Sequence, residues 1–79
     1  MADHPQPLRD AESLISELER AEARGDFAFI VARRERLEET IGFLMGVNFR
    51  LAGVDAANEM VARLQYRARQ IRERHKGTT

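Results

Sequence analysis

The sequence predicts a small all-α domain of three helices with antiparallel neighbours. Three observations carry that expectation. Apolar residues recur at three- and four-residue steps along most of the chain. The stretches that hold them are rich in Ala, Leu, Glu and Arg, all good helix formers. Gly25 and Gly53 fall between those stretches as stop signals. The chain has 79 residues, enough for one domain. The reading divides it into a polar leader over 1–7, a helical domain over 8–75 and a frayed tail over 76–79.

The first helix is expected over 8–24. Leu8, Ala11, Leu14, Ile15, Leu18 and Ala21 make one apolar stripe. Pro7 suits a first turn, and Asp10 and Glu12 favour the positive end of the helix dipole. Arg24 followed by Gly25 marks the stop.

The second helix is expected over 27–52, with Asp26 as N-cap. Its core stripe reads Phe27, Ile30, Leu37, Ile41, Leu44 and Leu51, with Arg34 and Asn48 on the same side. It is the long central element, so it is expected to overhang its neighbours or to kink or break near Gly42 and Gly46. Two of its segments also carry strand character. Residues 27–31 are aromatic and β-branched, and residues 47–51 alternate with period two.

The third helix is expected over 56–75 behind Asp55. Ala57, Met60, Val61, Leu64, Ala68 and Ile71 form a narrow seam. Glu59 and Arg63 have the spacing of a supportive pair on one helix face.

Several function classes lack their residues. Cysteine is absent, so there is no disulfide or thiolate ligand. The two histidines, His4 and His75, lie near the chain ends. No phosphate-cradling glycine loop, nucleophile elbow or His-Glu zinc motif occurs. The reading is therefore a non-enzymatic protein with no cofactor and no metal. Thirteen basic and thirteen acidic side chains give a formal net charge of zero, which argues against a general polyanion binder. No apolar run approaches membrane-spanning length, and Met1 to Pro7 lacks the apolar centre of a secretory signal. A cytoplasmic location without membrane contact is expected.

The most informative stretch is 41–51. On a helix, its large apolar side chains surround the axis instead of forming one stripe. Ile41, Leu44 and Leu51 continue the core. Phe43 and Val47 flank it on one side, Met45 and Phe49 on the other, and Gly42, Gly46 and Arg50 fill the remaining strip. This segment is either the buried centre of the fold or a patch for a partner, since exposed aromatic and Met residues suit an interface. Charge adds a second feature. Residues 1–49 carry net −4 and residues 50–79 net +4. Arg63, Arg67 and Arg74 form a ridge beside the third seam, and Tyr66 lies opposite that seam.

These residues predict a small protein-binding regulator that occludes a partner stoichiometrically. The candidate interface is Phe43, Met45, Val47, Phe49, Arg50, Arg63, Tyr66 and Arg67. A core this small also favours association, so a homodimer is expected. In size and composition, without a shared motif, the chain is similar to small helical antiactivators of transcription regulators and small helical inhibitors. The alternative is a nucleic-acid-binding accessory protein that uses the basic face of the third helix. Circular dichroism is expected to show helix far above the one-third share typical of globular domains; a large strand signal would overturn the all-α reading.

Overall fold

The computed structural model describes residues 6–47 and 55–77. They form four helices: α1 (Gln6–Arg24), α2 (Phe27–Ala32), α3 (Arg34–Val47) and α4 (Asp55–Arg74). Among the described residues there is no strand, and residues 27–31 are helical despite their strand-like composition. Of the stretch 47–51, only Val47 is described, as the last residue of α3. Phe49, Arg50, Leu51 and Gly53 lie outside the described residues.

The α1–α2 junction follows from local chemistry. Gly25 adopts φ +73°, which a residue with a Cβ rarely does. Its N–H donates to the Glu22 carbonyl at 3.0 Å, and the Asp26 N–H donates to the Ala21 carbonyl at 2.9 Å. Together these bonds satisfy the last carbonyls of α1 in a Schellman arrangement. Asp26 then caps α2, its carboxylate accepting from the Phe29 N–H at 3.3 Å.

The expected second helix is two helices, and it does not break where the glycines predicted. Gly42 and Gly46 both lie inside α3. The interruption is at Arg33, the C-cap of α2, where the hydrogen bonding changes. In an unbroken helix the Phe29 carbonyl would accept from the Arg33 N–H four residues on. Here the Arg33 guanidinium takes that carbonyl at 3.4 Å. The Arg33 N–H moves to the Ile30 carbonyl, at 3.1 Å. The guanidinium is held in place by the Phe29 ring, whose centroid lies 3.6 Å from Cζ.

The break also corrects the core. Phe27, expected on the stripe, is 49% exposed. Its ring rests against the His75 ring, with centroids 5.5 Å apart, while Phe29 packs partly against the core. The other described members of the stripe are buried. All six apolar residues expected from α1 are buried, as are Ile30, Leu37, Ile41 and Leu44. From α4 come Val61, Leu64, Ala68 and Ile71, with Met60 partly buried beside them.

Cross-helix bonds fix the directions. Arg67 meets Glu19 and Arg74 meets Glu22, so α1 and α4 run in the same sense. The Gln65 side chain meets the Leu44 carbonyl, and Arg72 meets Glu38, so α3 runs against α4. Leu44 is fully buried at that meeting. Leu44→Ala is expected to cost about 2–5 kcal/mol in chemical unfolding; a loss well under 1 kcal/mol would show that α3 is not part of the core.

Candidate protein-interaction surface

The outer side of α3 is the first candidate surface. Leu37, Ile41 and Leu44 turn into the core. At 100° per residue this sends Gly42 and Gly46 to the opposite side. Both glycines are exposed, and a Cβ added to either would meet no atom within 4 Å. Phe43, 37% exposed, stands on one flank of this bare strip, and Met45, 52% exposed, stands on the other. Among the described residues nothing packs against these glycines, although each costs about 1 kcal/mol against Ala in a helix.

The remaining expected interface residues are distributed differently. Arg63 is exposed and lies 4.0 Å from Glu59 on its own helix. Tyr66 is 66% exposed on the outer side of α4, turned away from Leu64 and Ala68. That side and the bare strip of α3 face different directions. Arg67 is committed within the fold. Its guanidinium clamps the Glu19 carboxylate at 3.0 and 2.6 Å and reaches the Ser16 hydroxyl at 3.3 Å. Arg74 clamps Glu22 at 2.7 and 2.8 Å in the same manner. Arg72 spans to Glu38 at 3.3 Å. The expected ridge is thus largely a set of ties from α4 to α1 and α3.

A buried node joins the ends of these helices, and sequence reasoning missed it. His75 is only 8% exposed, and its Nε2 lies 2.6 Å from Glu22 Oε2. An ionised carboxylate only accepts, so the imidazole N–H donates. The Glu22 carboxyl is held below the usual carboxylate range. The chief cause is the hydrogen bonding from Arg74; burial opposes it, and the His75 bond supports it. The His75 carbonyl accepts from Arg34 at 3.1 Å, which ties in α3. The signal was present in the spacing. Leu64, Ala68, Ile71 and His75 continue one stripe at steps of four, three and four.

Two concave regions flank the core. A cleft of about 360 Å³ lies between the α2–α3 pair and the end of α4, over Ile30, Leu37 and Ile71. The Arg72–Glu38 pair belongs to its rim. The second region is a series of shallow depressions between α1 and the α2–α3 pair. It draws on Arg20, Arg24, Arg33 and Arg36, none of them in the expected interface. Among the described residues, no group of three His, Cys, Asp or Glu could hold a metal ion, and no helix is long and apolar enough to cross a membrane.

Comparison with protein-family models, curated proteins and solved structures gives no match.

Glu22 supplies a pH test with a defined sign. Its carboxyl is held below the ordinary value, so its contribution is complete above that value and is lost as pH falls through the lowered one. Glu22→Gln is expected to destabilise the neutral protein by about 1–3 kcal/mol, toward the lower end because Arg74 is half in solvent. The difference from wild type should shrink below about pH 4, as followed by thermal unfolding. A constant difference from pH 7 to acid would show that Glu22 acts through shape alone.

Proposed function

We propose that this chain is a non-enzymatic binding protein that works by occupying a surface of a partner protein. The observation that carries the reading is the outer side of α3. Phe43 and Met45 border two glycines that are open to solvent and unused by the fold. Glycines four apart allow another helix to approach closely, and aromatic and Met side chains beside them supply anchors. Such a surface acts by stoichiometric coverage, in the manner of an antiactivator or inhibitor in the cytoplasm. A second copy of the chain can meet the same face, which supports a homodimer. Val47 belongs to this part of α3, and Phe49 and Arg50 follow it in the sequence.

The nucleic-acid reading draws less support. Arg67, Arg72 and Arg74 each hold a carboxylate of α1 or α3. The basic side of α4 is left with Arg63, Arg69 and Lys76, and Arg63 lies near Glu59.

Photo-crosslinking in cells of the source organism tests the proposal, with a photoreactive residue replacing Phe43 or, in parallel, Tyr66. A discrete one-to-one adduct formed from position 43 alone supports it. An adduct from position 66 alone, or from neither position, overturns it. Two variants sharpen the result. Phe43→Ala is expected to keep its helicity while weakening the complex by about 2 kcal/mol or more. Gly42→Ala is expected to stabilise the fold by about 1 kcal/mol and to weaken the same complex, because the added methyl stands on the contact strip. If Phe43→Ala unfolds the chain as far as Leu44→Ala does, Phe43 belongs to the core and the proposal fails.

A further inference from the structure

We propose that the groove between α1 and the α2–α3 pair receives an acidic segment of the partner, its carboxylates near Phe29 and an apolar side chain near Phe43. The inference rests on the protein-binding reading and names the chemistry of the partner.

The groove is a run of three depressions of about 180, 260 and 240 Å³. The first two share Glu17, and the last two share Asp10, Leu14 and Arg36, so they form one path. From Arg24 to Asp10 along α1 the path covers about 21 Å at the helical rise. That length holds about six or seven extended residues.

Charge is polarised along this path. Arg20, Arg24, Arg33 and Arg36 line its first two depressions, against Glu17 and, at the far side of the second, Asp10. Arg67, Arg72 and Arg74 of α4 have carboxylates from neighbouring helices, whereas among the described residues these four do not. Arg20 and Arg36 are exposed and, among the described residues, their side chains make no hydrogen bond or ion pair. Among the described residues the one carboxylate Arg24 reaches is Asp26, at a loose 3.5 Å. Arg33 lies over the Phe29 ring and gives one donor to the Phe29 carbonyl. Arg24 approaches the same ring, at 5.8 Å from its centroid. One aromatic ring therefore gathers two cations. A guanidinium stacked on a ring keeps in-plane donors for an oxygen ligand, and a carboxylate accepts two of them at once. The far end is different in kind. Pro7, Leu14 and the part-exposed Phe43 line it, and its charged residues are Asp10, Glu39 and the shared Arg36, so acids outnumber the one arginine there.

This pattern fits a peptide better than a phosphate backbone. A nucleic acid carries a charge at every nucleotide, and some would fall against Glu17 and Asp10. A peptide can place neutral residues there and carboxylates at the arginines. The apolar end adds a preference that phosphate cannot use.

The test uses the full chain and a fluorescent peptide of about a dozen residues, acidic in one half and carrying Leu and Phe in the other. Binding is read by anisotropy and mapped by amide chemical shifts. The expected result is binding that weakens with salt and moves the signals of Arg20, Phe29, Arg36 and Phe43. The isostere with Asn and Gln in place of the acids should bind about tenfold more weakly, as should the R20E/R36E double variant, whereas R63E/R69E should bind as wild type. Circular dichroism of R20E/R36E should be unchanged, since neither side chain has a partner among the described residues. The inference is overturned by any of four results: no peptide binding, equal binding of the isostere, undiminished binding by R20E/R36E, or tighter binding of a single-stranded oligonucleotide. Repeating the position-43 crosslink in the R20E/R36E background separates the two proposals. An adduct that survives there, with no peptide binding, removes the acidic-segment inference and leaves the protein-binding reading standing. An adduct absent in every background removes both.

Discussion

The Glu22 carboxylate is where the fold is tied together. It leaves the last turn of α1 and takes two donors from Arg74 and one from His75. Through His75 the same point reaches Phe27 of α2 by ring contact and Arg34 of α3 by the backbone carbonyl. A half-satisfied carboxylate at a helix junction would be a liability, because desolvation is offset only when the lone pairs are used. Here the carboxylate is fully engaged, so the ends of all four helices are held in one arrangement. The apolar stripes supply most of the driving force for collapse. This node adds directional bonds, which an apolar seam does not provide.

The node also explains where free charge appears on the surface. The chain is neutral overall, with an acidic first part and a basic second part. On folding, α4 spends its arginines on acids of α1 and α3: Arg67 on Glu19, Arg74 on Glu22, and Arg72 on Glu38. The acidic part thus loses exposed negative charge, and its own arginines become the conspicuous ones. Arg20, Arg24, Arg33 and Arg36 stand together across the α1–α2/α3 groove although their half of the sequence is net acidic. The groove lining sets these four arginines against Asp10, Glu17 and Glu39, a slight basic excess within a net acidic half of the sequence.

Two features then converge on α3. Its outer strip is stripped of side chains at Gly42 and Gly46 and bordered by Phe43 and Met45. Its inner flank closes the groove, and Phe43 belongs to both. A partner helix on the strip and an acidic segment in the groove would share this one aromatic residue. The glycines were read first as places where a long helix might bend. Their open surroundings place them on the exterior, and the interruption lies earlier, at Arg33 between α2 and α3.

What the sequence alone determined is what depends on neighbours within a few positions. The all-α class, the stripe from Leu8 to Ala21, the turn at Gly25, the Asp26 cap and the seam from Val61 to Ile71 are all of this kind. Periodicity and capping are local, so they are legible before any tertiary contact exists. The tertiary structure decided the rest. Which acid each α4 arginine meets depends on the axial register of packed helices, and no spacing within one helix encodes that. The exposure of Phe27 depends on what packs beside the first turn of α2, and there the ring meets His75 rather than the core. His75 reads from the sequence only as the end of the third helix, because its partner Glu22 lies 53 positions away. A side chain's chemistry is fixed by the chain, but its partner is fixed by packing.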